Sequence, residues 1–120
     1  MTKLQITIKD LPKMPNSLLR KHWAIITKEK NKWHTYVKLS LGINRPKAPL
    51  KKAKLTLTRY SMRAPDYDGL VGSFKYVVDG LVKAGVIVDD KVSVIGDSKY
   101  NWVKAKKVDQ RIEVVIETVR

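Results

Sequence analysis

The chain has no cysteine. That excludes thiol nucleophiles, thiolate zinc sites and disulfide scaffolds. Acids are scarce, 11 Asp plus Glu against 25 Lys plus Arg, for a net charge of +14 at pH 7. No apolar run approaches the roughly 18 residues that a spanning helix needs. The first 12 residues alternate apolar and polar and contain no continuous apolar segment. Neither a membrane anchor nor a signal peptide is expected, and the simplest compartment is the cytoplasm. There is no Walker-type loop and no Gly-x-Gly-x-x-Gly, so no organic cofactor is expected. His22 and His34 have no acidic or Ser partner at a telling distance and read as surface or boundary residues of a helix.

What is present is enough for one domain over 1–120, of a length that buries about two-thirds of its unfolded surface without metal or disulfide. An apolar content of 43% suits a folded chain rather than a disordered basic tail. A basic excess this large implies a polyanionic partner, of which nucleic acid is the commonest.

Periodicity divides the chain into strands and helices. Leu4, Ile6 and Ile8 alternate with polar residues, as in a half-buried strand. After Pro12 and Pro15, Asn16 or Ser17 can cap a long helix over about 17–42, with Leu19, Trp23, Ile26, Trp33, Val37 and Leu41 as its apolar stripe. Gly42 stops it. A second strand runs from Ala53 to about Tyr60, and a second helix from about 69 to 84 with Leu70, Phe74, Val77, Val78 and Leu81 inward. Strands over roughly 94–105 and 112–117 follow. Tyr100 and Trp102 share one face of the former and fit a core better than a base-stacking surface. The expected class is α+β: a single domain in β-α-β-α-β-β order, a mixed sheet packed by two helices.

The charge is segregated. Residues 1–65 carry 16 basic and 2 acidic groups, whereas residues 66–97 carry 3 basic and 6 acidic. Those six acids are Asp66, Asp68, Asp79, Asp89, Asp90 and Asp97, with no Glu among them. Helix caps and turns explain any single Asp. A cluster inside a phosphate-seeking protein is better explained by a divalent cation, since carboxylate oxygens are the ligands Mg²⁺ prefers. Asp66 and Asp68 flank Tyr67, and in an extended segment their side chains point the same way. On a continuous helix at about 100° per residue, Lys75 and Asp79 fall on the stripe of Asp68. An ordinary i, i+4 ion pair between Lys75 and Asp79 is the alternative. Lys21, Lys28 and Lys32 form a basic ridge off the apolar stripe, suited equally to solvent and to phosphate. The 43–51 loop is cationic too.

In order, Asp66-Tyr67-Asp68, Lys75, Asp79-Gly80-Leu81, Ala84-Gly85 and Asp89-Asp90 resemble the motif of the RusA-type Holliday junction resolvases. An early strand followed by Pro12, Pro15 and Asn16 extends the resemblance over most of the chain. Gly69 stands where that family commonly has Asn, and Lys75 lies about three residues further from Asp68 than in the family pattern. The resemblance implies a homodimeric, phage- or prophage-encoded crossover junction endodeoxyribonuclease that resolves four-way DNA junctions by paired symmetric nicks. It implies Mg²⁺, with Mn²⁺ as a substitute, held by Asp66, Asp68 and Asp90, with Asp89 the alternative of its pair, and Lys75 as the essential lysine. Lys21, Lys28, Lys32, Arg45, Lys47, Lys51, Lys52 and Arg63 are the expected DNA contacts. Two other readings stay open: a non-catalytic basic nucleic-acid binding protein, and a metal nuclease acting on other branched or duplex DNA.

Overall fold

The computed structural model describes residues 3–19 and 21–119. Four strands, β1 (Lys3–Ile8), β2 (Ala53–Ser61), β3 (Lys99–Lys104) and β4 (Arg111–Thr118), form one mixed sheet in the order β1-β4-β2-β3. β4 runs antiparallel to both β1 and β2, and β3 runs parallel to β2. Alternation sorts the faces. Ile6 and Ile8, Ala53, Leu55 and Leu57, and Ile112, Val114 and Ile116 are buried on one side, while their polar neighbours face outward.

That apolar face is covered by helices α2 (Trp23–Leu41) and α4 (Lys75–Lys83), whose Trp33, Val37 and Leu41 and Val77, Val78 and Leu81 complete one core. The helices approach closely at Gly80, where a Cβ would lie 3.2 Å from Val37 Cγ2 and 3.4 Å from the His34 backbone. Gly42 and Gly85 close α2 and α4 with φ of 54° and 79°, a region that side chains disfavour. A single domain of α+β class with a four-stranded mixed sheet is therefore as expected.

Several boundaries are not. The first helix does not run from 17. A short α1 (Pro15–Leu18) ends at Leu19, and α2 starts at Trp23. Ser17 does not cap; its hydroxyl donates to the Met14 carbonyl at 2.8 Å. His22 caps instead, its Nδ1 accepting from the Ala24 N–H at 3.1 Å. The early end of the apolar stripe is left open, with Leu19 67% and Trp23 71% exposed.

The second helix is broken in two. α3 (Tyr67–Ser73) ends at Phe74 before α4 begins. Two causes act there. The Ser73 hydroxyl bonds back to the Leu70 carbonyl at 2.8 Å, and Phe74 turns fully into the core. α3 also presses on α1, since a Cβ on Gly72 would meet Pro15 Cγ at 2.5 Å. The strand expected from 94 begins only at 99, because Val92–Ile95 forms a short helix, α5, that buries Val94. Ser98 then joins β2, its Oγ accepting from the Leu55 N–H at 3.0 Å.

Candidate acidic site and its basic surround

Parallel strands cannot be joined by a hairpin, so the chain between β2 and β3 must cross over the sheet. All six clustered Asp lie in this crossover. Asp66 is the N-cap of α3, its Oδ1 accepting from the Gly69 N–H at 3.0 Å. Asp68 follows in the first turn, exposed, where the helix dipole tolerates its charge. The cap accounts for Gly69: a Cβ there would lie 2.5 Å from Asp66 Oδ1 and 2.6 Å from Met14 Cε. An Asn would displace the carboxylate.

Asp89 and Asp90 lie in the return that follows α4. Asp89 Oδ1 accepts from the Asp90 N–H at 2.7 Å, and Asp89 Oδ2 pairs with Lys91 at 3.6 Å. The backbone N–H of Asp90 and the proton shared with its side chain hold the Asp89 carboxyl below its ordinary value. The Asp90 carboxyl is raised, first by sharing that hydrogen bond with Asp89, then by burial and by the like charges of Asp79 and Asp89. No ion pair of Asp90 occurs among the described residues.

β3 packs against α3. Tyr100 packs against Phe74, ring centroids 6.0 Å apart. Its hydroxyl is pushed up by burial and by the charges of Tyr67 and Asp90. Tyr67, which separates Asp66 from Asp68, and Asp90 thus lie within electrostatic reach of one side chain. Tyr100 and Trp102 are half-buried against the core, as expected.

The donors suit a hard divalent cation, being carboxylate oxygens only, and the like charges that raise Asp90 are ones such an ion would relieve. Among the described residues no group of three or more His, Asp or Glu is gathered to hold an ion.

The break at Phe74 puts Asp68 on α3 and Lys75 and Asp79 on α4, where the latter two stay four residues apart. Lys75 is exposed at the start of α4 and lines a separate cleft of about 250 Å³ with Pro12, Trp33 and Tyr76. No ion pair joins it to Asp79 among the described residues.

The basic residues are distributed unevenly. The 43–51 loop is tied to the acidic return by a parallel bridge, Leu50 to Ile87, in which the Leu50 N–H donates to the Val86 carbonyl at 2.8 Å and the Val88 N–H to the Leu50 carbonyl at 3.1 Å. Exposed Arg45 and Lys47 thereby flank Ala84 and Gly85. Lys51 and Lys52 continue that exposed run. Lys28 is exposed on α2, and Lys21 precedes the helix. The solvated ridge is corrected at Lys32, which is half-buried and pairs with Glu29 at 3.3 Å and Asp10 at 3.5 Å. Burial lowers its pKa, but Glu29 and Asp10 outweigh it and the net shift is upward. Glu29 in turn accepts from buried Trp33 Nε1 at 3.1 Å. Arg63 lines a cavity beside the approach to Asp66.

One cation escapes sequence reasoning altogether. Arg59 lies in β2 with the parity of Leu55 and Leu57 and is buried. A cation on the apolar face of a strand was the available signal. No protein-family model matches the chain, and no curated protein matches it.

Proposed function

We propose that the protein is a Mg²⁺-dependent, structure-selective endodeoxyribonuclease that acts as a homodimer on four-way DNA junctions in the cytoplasm of a bacterial host. The observation that carries this reading is the collection of six Asp in the single crossover between β2 and β3, where like charge raises the Asp90 carboxyl, inside a chain of charge +14. A surface built only to bind phosphate gains nothing from such an acidic island.

Asp66, Asp68 and Asp90 would hold the metal. Asp90 is preferred over Asp89, because Asp89 is already paired with Lys91. When bound, the metal supplies an activated water and neutralises charge at the scissile phosphate. The chain's own residues do the rest. Arg45, Lys47, Lys51 and Lys52, joined to the acidic return through Leu50, draw the DNA backbone toward it. Asp66 and Asp68 are oriented by the first turn of α3. Lys75 would offer a cation to the charged transition state. A two-fold dimer would repeat the site on strands of like polarity.

A four-way junction incubated with Mg²⁺ or with EDTA tests the reading. Cutting is expected only with Mg²⁺, and Asp90→Asn should abolish it while Asp97→Asn should not. Equal products in Mg²⁺ and EDTA would sink it. Flap and plain-duplex substrates in the same assay separate a junction resolvase from another metal nuclease.

One observation favours the rival, a non-catalytic nucleic-acid binding protein: an oxygen of Asp66 already serves as a helix cap. That rival requires junction binding indifferent to Mg²⁺ and unchanged by Asp68→Asn.

A further inference from the structure

Arg59 is 8% exposed on the core side of β2. A guanidinium carries five N–H donors. Among the described residues Arg59 makes a single hydrogen bond, Nη1 to the Pro12 carbonyl at 2.6 Å, and no ion pair. Burial alone shifts its pKa, downward, with no carboxylate contributing. A buried cation without an anion is costly, and an apolar side chain in its place would be cheaper to fold. Its remaining N–H donors are left open to a partner from outside the fold.

The cavity beside it supplies room for one. An open cleft of about 540 Å³ is lined by residues that include Arg59, Ser61, Met62, Arg63, Pro65 and Gln110, with no acid among the lining. Two cations and an amide face it. Its wall is held by Ser61, whose hydroxyl donates to the Arg63 carbonyl at 2.9 Å and accepts from Trp102 Nε1 at 3.0 Å. Pro65, on its rim, is followed directly by Asp66. A planar, weakly hydrated guanidinium is the side chain best suited to a tetrahedral oxyanion in such a site.

We propose that this cavity is a phosphate subsite in which Arg59 is the fixed donor, and that its occupant is a backbone phosphate of DNA lying across the acidic segment. The anion site stands on Arg59 and the cavity; that the anion is DNA rests on the nuclease reading.

Inorganic phosphate is the first probe. Its titration should shift the Arg59 Nε–H resonance saturably and raise Tm, and Arg59→Met should abolish both effects without lowering Tm. The second arm measures junction binding in EDTA, where nothing is cut. There Arg59→Met should weaken binding roughly tenfold and reduce the slope of log K against log salt by about 1. An unmoved resonance, or equal stabilisation of Arg59→Met by phosphate, overturns the subsite. Phosphate binding with an unchanged salt slope overturns DNA as its occupant. Should Arg59→Met fail to fold, the titration of the native protein still decides. A junction left uncut under every condition would defeat the nuclease reading while leaving the phosphate result standing.

Discussion

Asp66 has one role in the fold and a second proposed in the site, and substitution can separate them. Its Oδ1 caps α3 through the Gly69 N–H, and its carboxylate is proposed to hold a metal. Asp66→Ala removes both, and a lost cap costs about 1 kcal/mol. In a domain of this size that lowers Tm by roughly 3–6 °C. Asp66→Asn keeps a capping oxygen and loses only the charge, which near the start of a helix contributes about 0.3–1 kcal/mol. The Asn variant should therefore be the more stable of the two by roughly 1 kcal/mol, yet both should be unable to cut. Loss of a negative charge beside phosphate should leave junction binding intact or tighter. Thermal denaturation, gel-shift titration in EDTA and junction cleavage in Mg²⁺ read the three quantities. Cutting by Asp66→Asn at the native rate would refute the metal role. Equal Tm for the two variants would refute the cap.

Other outcomes follow from particular contacts. His34 has a buried Nε2 with no hydrogen-bond partner, and burial, then the charges of Lys83 and Lys30, depress its pKa against a smaller opposing effect of Asp79. Its folded value lies below its unfolded one, so the stability it contributes is complete above about pH 6.5 and lost as pH falls through the folded value; a pH series of Tm should show this, and His34→Phe should remove that share of the slope. Gly80→Ala gains up to about 1 kcal/mol in helix propensity but pushes on Val37 and the α2 backbone, an overpacking that costs typically 1–3 kcal/mol, so urea denaturation should show a net loss. Paired Ala substitutions at Arg45 and Lys47 should lower the salt slope of DNA binding by about 2, whereas Lys32→Ala should lower it little and reduce Tm instead, because Lys32 is already committed to Glu29 and Asp10.

Legibility differed sharply between elements. Strands were readable where alternation was uninterrupted, as in Leu4 to Ile8 and Ala53 to Tyr60, because a sheet with one buried face imposes that period. The inward faces of both helices were readable for the same kind of reason, Trp33, Val37 and Leu41 on one and Phe74, Val77 and Leu81 on the other. Helix starts were not. The spacing of Leu19 and Trp23 continues the stripe of α2, yet both are left mostly exposed among the described residues. Gly69 and Gly80 looked like a departure and a motif residue; each is a place where two parts of the chain nearly touch.

The sequence by itself determined the class of the fold and the separation of basic first half from the run of six Asp, because these depend on period, count and order along the chain. Tertiary structure alone decided that Lys32 is neutralised, that the 43–51 loop lies against the acidic return, and that Arg59 opens on a cleft. Each of these depends on which distant residues come within a few ångströms. Charge pairing and burial act over that range, and spacing along the chain does not encode it.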